Sequence, residues 1–277
     1  MKKQIYLADN LSVLKTLPSE SVDLIYIDPP FNTGKVQARK SIRTVRDEKG
    51  DRIGFGEQSY STELIGMRAY DDRFGDFEAF LLPRLHEAYR LLKPHGAIYF
   101  HIDYREAHYC KLMLDQIFGR ENFVNEIIWA YDFGGRPKNR WPAKHDTIFY
   151  YVKDTQNYTF NRDDIDRIPY MAPGLVGEEK AKRGKLPTDV WWHTIVGTNS
   201  KEKTGYPTQK PFGVIERIIR ASSNPGDMVM DFFAGSGTVG AVCEKLGRDF
   251  ILIDQNPEAW DVMRARFKDV EEIEWIR

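Results

Sequence analysis

A glycine-rich segment near the end of the chain constrains the fold more than any other feature of the sequence. Gly235, Gly237 and Gly240 follow a short apolar run in the pattern G-x-G-x-x-G, and a helix is predicted directly after them. A second apolar run then ends on Asp254, about 20 residues after the first glycine, which is the spacing of an acid that binds ribose hydroxyls. Strand, glycine turn, helix, strand and acid in this order predict an α/β unit that binds a nucleotide-like cofactor.

The charge beside the glycines indicates which cofactor the turn accepts. A dinucleotide would bring an anionic pyrophosphate to the turn, where Asp231 would oppose it. S-adenosylmethionine has no phosphate and carries a cationic sulfonium and an ammonium group, so the same acid is tolerated. The residues therefore favour S-adenosylmethionine, and NAD is the alternative for this motif.

A second motif, Asp28-Pro29-Pro30-Phe31, ends a buried strand predicted over residues 24–27. Two consecutive prolines cannot continue a sheet ladder, and their fixed φ holds the neighbouring carbonyls in a stiff arrangement. The carboxylate and the Pro29 carbonyl can accept the hydrogens of an amino group, while Phe31 stacks on the ring that bears it. The motif therefore predicts a site for a flat ring with an exocyclic amine. Taken alone, the tetrapeptide is equally compatible with a strand that ends in a Pro-rich turn.

With both motifs present, the chain resembles the amino-methylating DNA methyltransferases of the β class. In that class the Asp-Pro-Pro-aromatic motif precedes the Phe-x-Gly-x-Gly motif, a circularly permuted order. The resemblance covers most of the chain, in segments 7–10, 28–34, 97–103, 144–152, 206–211, 231–238 and 253–257. It implies the Rossmann-like α/β fold of S-adenosylmethionine-dependent methyltransferases, with a mostly parallel central sheet and helices on both faces. It also implies a site-specific enzyme that methylates N6 of a flipped adenine in double-stranded DNA.

The motif order implies how the chain is divided. Residues 1–153 are expected to form the catalytic half of the methyltransferase domain, 154–205 an inserted target-recognition region, and 206–277 the cofactor-binding half. Residues 32–73 show little periodicity and carry a basic run, which predicts a long mobile loop that closes over DNA. A solvated surface loop is the alternative for such a charge run.

The resemblance assigns roles to residues of both motifs. Asp9 and Asn10 are implied to lie beside the cofactor adenine, although either residue can also cap the helix that follows. The Lys210 ammonium is implied to pair with the cofactor carboxylate. Gly235 and Gly237 are expected to admit close approach of the backbone to the cofactor. The predicted catalytic residues are Asp28, Pro29, Pro30 and Phe31, and the predicted cofactor-binding residues are Asp9, Asn10, Asp28, Thr208, Lys210, Asp231, Phe233, Ala234, Gly235, Ser236, Gly237, Thr238, Asp254 and Asn256.

Two basic segments predict the DNA-binding surface. One lies in residues 32–73, and the other is the polar connection between the apolar runs 127–130 and 147–152. Arginine can contact guanine edges or phosphates, so these residue types suit either role. Trp191 and Trp192, in the predicted recognition region, are expected to form a small local core. The predicted DNA-binding residues are Lys35, Arg39, Lys40, Arg43, Arg136, Lys138, Arg140, Lys144 and His145.

Composition and net charge limit which partners, cofactors and cellular locations are expected. The net charge is −1, so any DNA-binding surface must come from local basic clusters. Cys110 and Cys243 are isolated thiols, expected to be buried and inert, which is typical of a reducing cytoplasm. No apolar run approaches the roughly 18 residues of a membrane helix. His101 and Asp103 have metal-like spacing, but the proposed chemistry needs no metal, and none is expected.

Three alternative functions remain open from the sequence. N4 methylation of cytosine uses the same amine chemistry, but that branch more often has Ser where Asp28 stands. An RNA adenine methyltransferase would share both motifs. An NAD-binding oxidoreductase would explain the glycines but leave Asp28 to Phe31 and Lys210 without a role. The resemblance also implies a homodimer, and it leaves open whether a restriction endonuclease partner exists.

Overall fold

A computed structural model describes residues 2–32, 35–46, 52–53, 59–72 and 75–277. Short 3-10 helices lie at Arg120–Asn122 and Pro173–Leu175. The helices and strands of the described residues are β1 (Lys3–Leu7), α1 (Asn10–Thr16), β2 (Val22–Ile27), β3 (Lys35–Arg46), β4 (Arg52–Ile53), β5 (Ser59–Asp72), α2 (Phe77–Leu91), β6 (Leu92–Asp103), α3 (Ala107–Phe118), β7 (Phe123–Ala130), β8 (His145–Val152), α4 (Glu178–Arg183), β9 (Val190–Trp192), α5 (Phe212–Ser222), β10 (Met228–Asp231), α6 (Thr238–Leu246), β11 (Asp249–Asp254), α7 (Pro257–Arg266) and β12 (Ile273–Ile276).

The main sheet has nine strands in the order β12-β1-β11-β10-β2-β6-β8-β7-β9. Neighbouring strands are parallel except where β8 pairs antiparallel with β6 and β7. The other eight strands therefore end at one common edge, here called the carboxyl edge. The strand order reverses between β10 and β2, because β10 is followed by β11 on one side and β2 by β6 on the other. Such a switch point opens a crevice in which α/β sheets bind ligands.

Helices cover both faces of the main sheet. Leu24 and Tyr26 of β2 belong to one hydrophobic cluster, which α5, α6 and α7 complete. Ile25 and Ile27 belong to the other, which α1, α2 and α3 complete. A strand that is buried on both faces has a nearly continuous apolar sequence, and this explains why β2 could be predicted from sequence. The predicted Rossmann-like arrangement is confirmed.

The stretch 32–73 is not the structureless loop that its sequence predicted. β3 pairs antiparallel with β5, and β4 pairs with the start of β5, so the three strands form a second sheet. The register shifts between Ser41 and Ile42. The shift leaves Ile65 of β5 without a paired residue in β3, and a bulge of this kind breaks the alternation of a strand. The mobility of this segment stays a prediction.

Trp191 and Trp192 differ in burial. Trp191, in β9, packs in the core cluster on the α5 side, whereas Trp192 is 76% exposed. Only one of the two tryptophans is therefore part of a core.

Cys110 and Cys243 are buried as predicted, and burial raises the pKa of both thiols well above its ordinary value. Across the described ranges, no helix has the length and apolar character needed to cross a membrane.

Gly240 is required by the packing of α6 against the sheet. A Cβ at this position would lie 2.7 Å from Leu252 Cδ1 and 3.0 Å from Phe267 Cζ. We expect Gly240→Ala to lower the free energy of unfolding by about 1–3 kcal/mol, measured by urea titration. Gly197→Ala is the control, because its Cβ would meet no described atom within 4 Å. Equal stability of the two variants would contradict this account of the packing.

Candidate active site

A cavity of about 590 Å³ lies at the switch point of the main sheet, above the carboxyl ends of β2, β10 and β11. The Asp-Pro-Pro-Phe motif enters it from the end of β2, and the glycine turn enters it from the end of β10. The structure therefore brings the two sequence motifs together around one space. The predicted residues on its wall are Asn10, Asp28, Pro29, Pro30, Phe31, Thr208, Lys210, Asp231, Phe233, Ala234, Gly235, Ser236, Thr238, Asp254 and Asn256.

The glycine turn is anchored to the end of β11. The two oxygens of Asp254 accept hydrogen bonds from the backbone N–H groups of Gly235 and Asn256, both at 2.8 Å. Gly235 has a φ of 50° and packs so closely on the Tyr206 ring that a Cβ would lie 3.0 Å from its Cε1 atom. Only glycine adopts this conformation without strain at such a close approach.

Gly237 packs against α7, and its predicted approach to the cofactor stays a prediction. It has a φ of 71°, and a Cβ there would lie 2.8 Å from Met263 Cγ and 3.0 Å from Phe267 Cε2. These atoms belong to α7 and the residue after it, and Gly237 is not on the cavity wall. The structure therefore gives Gly237 a packing role between α6 and α7.

Asp9 and Asn10 have different positions relative to the cavity. Asp9 caps α1, because its Oδ1 accepts a hydrogen bond from Ser12 N at 3.0 Å, and it lies outside the cavity wall. Asn10 lines the cavity, where its Nδ2 donates to the Phe232 carbonyl at 2.7 Å. Arg84 joins the two, since it donates to Asn10 Oδ1 at 2.6 Å and pairs with Asp9 Oδ2 at 3.0 Å.

Arg84 is a cavity residue that the sequence interpretation missed. It comes from α2, its guanidinium lies 3.9 Å from the centroid of the Phe80 ring, and both residues line the cavity. An arginine on an amphipathic helix gives no local signal of such a role, because Asp9 and Asn10, which it joins, lie more than 70 positions away. Other wall residues missed from sequence are Tyr26, Phe80, Tyr206, Gln209, Ile215, Phe232, Val239 and Gln255.

The cavity wall carries three carboxyl groups and two cationic side chains, Lys210 and Arg84. Asp28, Asp231 and Asp254 face Lys210, whose ammonium contacts Asp28 Oδ2 and donates to the Thr208 carbonyl at 3.2 Å. Burial, together with the charges of Asp28 and Asp254, raises the pKa of Asp231 well above its ordinary value. Burial also raises the pKa of Asp254. A cationic ligand would relieve this repulsion, whereas a pyrophosphate would increase it.

The two carboxylate oxygens of Asp28 differ in their contacts. Lys210 contacts Oδ2, while Oδ1 is buried and has no hydrogen-bond partner among the described residues. A buried carboxylate oxygen without a partner is costly, so it is expected to accept a hydrogen bond from a ligand. Thr208, on the same wall, has a φ of 58°, a conformation that non-glycine residues adopt mainly at constrained sites.

The connection between β7 and β8, residues 131–144, also emerges at the carboxyl edge, because Ala130 pairs with His145. Phe133 is 66% and Trp141 94% exposed, and the predicted basic residues Arg136, Lys138 and Arg140 are exposed beside them. The surface formed by residues 131–144 is therefore basic and aromatic and lies at the same edge as the cavity.

Two of the predicted DNA-binding residues, Lys144 and His145, are partly buried and belong to the structure of the connection and of β8. Lys144 donates to the carbonyls of Phe133 and Gly134 at 2.7 and 2.8 Å, so it holds the 131–144 connection in shape. His145 begins β8 and is only partly exposed. The side chains predicted at Lys35, Arg39, Lys40 and Arg43 lie outside the described part of the structure, although the backbone places all four in β3.

His101 and Asp103, which have metal-like spacing in the sequence, do not share a site. His101 is fully buried between Tyr26 and Asp146, while Asp103 is bonded to Arg105. Among the described residues, no group of three or more His, Cys, Asp or Glu side chains could hold a metal ion.

Sequence relatives of this chain are DNA methyltransferases. The family model described as DNA methylase, for N6 and N4 methyltransferases, matches residues 22–265. The type II methyltransferase M.HpaI of Haemophilus parainfluenzae is 34% identical over 266 residues, which cover 96% of this chain and 74% of that protein. The DNA adenine methyltransferase YhdJ of Escherichia coli (strain K12) is 33% identical over 269 residues, covering 92% of this chain and 79% of that protein.

Solved structures share the fold. M1.HpyAVI in complex with S-adenosylmethionine superposes with a TM-score of 0.60 at 23% identity, covering 95% of this chain and 98% of that one. The cytosine-N4-specific PvuII DNA methyltransferase superposes with a TM-score of 0.64 at 18% identity, covering 98% of this chain and 89% of that one. The match to the DNA methylase family model removes the oxidoreductase alternative. Because the family model spans both motifs and the cavity between them, the chain belongs to the N6/N4 family of S-adenosylmethionine-dependent DNA methylases.

Proposed function

We propose that this protein transfers a methyl group from S-adenosylmethionine to N6 of adenine in double-stranded DNA. The observation that carries the proposal is that the Asp-Pro-Pro-Phe motif and the glycine turn line a single acidic cavity at the switch point. The Escherichia coli relative is named a DNA adenine methyltransferase, which supports adenine as the target base. Asp28 in place of the serine more common in cytosine-N4 enzymes supports the same assignment.

The cavity residues suit a cationic nucleoside cofactor. Asp254, which orders the glycine turn, has lone pairs left for ribose hydroxyls, and Lys210 would pair with the cofactor carboxylate. Asp231 would offset the positive charge of the bound molecule. When bound, S-adenosylmethionine supplies an electrophilic methyl group on a sulfonium.

The residues of the catalytic motif would make the lone pair of the target amine available for attack on the methyl group. An exocyclic amine conjugated to a ring is a poor nucleophile, because its lone pair is delocalised. Asp28 Oδ1 and the Pro29 carbonyl accept the two amino hydrogens and favour a tetrahedral nitrogen, and the carboxylate stabilises positive charge that develops there. Phe31 stacks on the base and takes the place of the neighbouring bases that stack on it inside the duplex.

The DNA would bind across the carboxyl edge of the sheet. Arg136, Lys138 and Arg140 are exposed there and can neutralise phosphates, while the exposed Trp141 can stack on a base or sugar. Residues 154–205 remain the proposed target-recognition region, and β9 connects that region to the main sheet beside β7. We assign the basic residues of β3 to DNA contacts as well.

Product analysis tests the proposal. The protein is incubated with unmethylated mixed-sequence DNA and methyl-labelled S-adenosylmethionine, and the DNA is digested to nucleosides. We expect the label in N6-methyladenine. Label in N4-methylcytosine would keep the chemistry and overturn the choice of base, and label on RNA alone would overturn DNA as the substrate.

Cofactor binding is expected to tighten as pH rises, because of Asp231. The raised pKa means that the ligand-free protein keeps this carboxyl protonated to a higher pH than usual. A cationic ligand favours the ionised form, so binding releases a proton, and affinity increases up to the raised pKa and then levels off. Calorimetry in buffers of different ionisation enthalpy measures the release. Asp231→Asn is expected to abolish this component, and an unchanged proton count in that variant would assign the release elsewhere.

A further inference from the structure

His101 is a buried histidine beside the catalytic motif for which methyl transfer, as described above, has no use. It lies in β6 with 0% exposure, next to the end of β2. Its ring packs against the rings of Phe31 and Trp129, with centroids 5.9 and 5.5 Å away. Fully buried histidines need partners for both ring nitrogens, and the partners identify what the ring can do.

The partners form a chain that leads away from Asp28. His101 Nδ1 lies 2.7 Å from the Tyr26 hydroxyl and 3.9 Å from the unpartnered Oδ1 of Asp28. On the other side, His101 Nε2 lies 3.3 Å from Asp146 Oδ2. The second oxygen of Asp146 accepts a hydrogen bond from the Tyr131 hydroxyl at 3.0 Å.

The protonation states follow from these contacts. Burial raises the pKa of Asp146, but the hydrogen bonds from His101 and Tyr131 and the charge of Lys210 hold it below its ordinary value, so the group is a carboxylate. A carboxylate only accepts, and His101 Nε2 must therefore carry a hydrogen. Burial and the charge of Asp28 raise the pKa of Tyr26 well above its ordinary value, so its hydroxyl is protonated and donates to Nδ1. In this arrangement the ring hydrogen of His101 lies on Nε2, and the lone pair of Nδ1 lies on the side of Tyr26 and Asp28.

We propose that His101 takes up, through Asp28, the proton that the target amine loses, and that Asp146 stabilises the resulting imidazolium. The proposal rests on the methyl transfer proposed above. It makes His101 and Asp146 positioning residues for Asp28, because neither touches the base.

The steps balance without a further reactant. The nitrogen–methyl bond forms while the carbon–sulfur bond breaks and leaves its electron pair on sulfur. One amino N–H bond of the target base then breaks, and the proton goes to Asp28 Oδ1. That proton passes to His101 Nδ1 after a change in the Asp28 side-chain torsion closes the gap of 3.9 Å. The Tyr26 oxygen turns from donor to acceptor toward Nδ1–H, and Asp28 is again a carboxylate.

The groups around His101 favour this direction of transfer. The imidazolium would lie between two carboxylates, and the rings of Phe31 and Trp129 keep water from the proton path. Lys210, which contacts Asp28 Oδ2, leaves Oδ1 available for the amine and for His101. The titratable and charged groups that face His101, directly or through Asp28 and Asp146, are Tyr26, Asp28, Asp146, Tyr131 and Lys210.

His101→Gln tests the proposal, because the amide can keep a hydrogen bond in this space but cannot take up a proton. We expect the single-turnover rate of methyl transfer to fall roughly 10²-fold, the usual effect of losing a proton-transfer group. The dissociation constants of S-adenosylmethionine and DNA are expected to stay within about twofold, since His101 touches neither. The pH dependence of the single-turnover rate is also expected to change, because the variant lacks the group that takes up the proton. His108→Gln, on the exposed face of α3, is the matched control and should change none of these quantities.

A purely structural role would give a different pattern. Weaker binding of cofactor or DNA in parallel with the rate, or an unchanged rate and pH profile, would overturn the proposal. Tyr131→Phe provides a second test that leaves His101 in place, because it removes only the hydrogen bond donated to Asp146. With one donor fewer, Asp146 holds the imidazolium more strongly, and the pH dependence of the single-turnover rate is expected to differ from that of the unaltered enzyme. A profile identical to that of the unaltered enzyme would contradict the proposed role of Asp146.

The two proposals fail in different ways. An unaltered enzyme that produces N4-methylcytosine would overturn the adenine assignment, while the rate loss in His101→Gln would still support the proton path, since the same amine proton must leave. An unaltered enzyme that produces N6-methyladenine, with His101→Gln equally fast, would overturn the proton path alone.

Discussion

Asp28→Asn is expected to lower the single-turnover rate of methyl transfer by roughly 10³-fold while S-adenosylmethionine still binds. The amide cannot stabilise positive charge on the target nitrogen, and its NH2 group presents hydrogens where the amine needs acceptors. The cavity wall is otherwise unchanged, because the two side chains have the same shape. Rapid-quench measurement of labelled methyl on DNA gives the rate, and calorimetry gives the cofactor affinity.

The control for this variant is Asp261→Asn, which removes a carboxylate from the exposed face of α7 and should leave the rate unchanged. Asp28→Asn also leaves the buried ammonium of Lys210 without its carboxylate partner, so a loss of stability is expected as well. Rates are therefore compared at a temperature where both variants are folded by circular dichroism. Near-normal turnover in Asp28→Asn would remove Asp28 from the mechanism.

Lys210→Met is expected to weaken S-adenosylmethionine binding by about 10²-fold. Without the ammonium, the cofactor carboxylate would enter a cavity that already holds Asp28, Asp231 and Asp254. Truncating one partner of a buried, hydrogen-bonded charge pair typically costs about 2–5 kcal/mol, and much of that cost comes from the charge left unpaired. Equilibrium titration of the cofactor measures the loss.

A double variant separates the two roles of Lys210. Combining Lys210→Met with Asp28→Asn removes both charges of the buried pair, so stability should recover relative to either single variant while cofactor binding stays weak. Lys245→Met is the surface control, since this lysine pairs with Glu216 at an exposed site and should leave the affinity unchanged. An unaltered cofactor affinity in Lys210→Met would show that the ammonium serves Asp28 alone.

The central strands of the main sheet were predictable because each has a strong local pattern, whereas the short edge strands β9 and β12 were not predicted. β2 and β11 are buried on both faces, and such strands are apolar over nearly their whole length. The antiparallel pair β3 and β5 escaped prediction for an equally local reason. A shift of register at Ile65 interrupts β5, so neither half of the strand is long enough to show a clear period of two.

The sequence by itself determined the two ends of the active site. Two prolines stop β2 with a carboxylate at its tip, and glycines with positive φ bend the chain between β10 and α6, so both motifs depend on contacts between residues close in the chain. Only the tertiary structure decided what lies between these ends. Arg84, His101 and Asp146 reach the site from α2, β6 and β8, and their contacts are set by strand order and register, which no local pattern encodes. The packing role of Gly237 was decided in the same way, because it depends on α7 lying against α6.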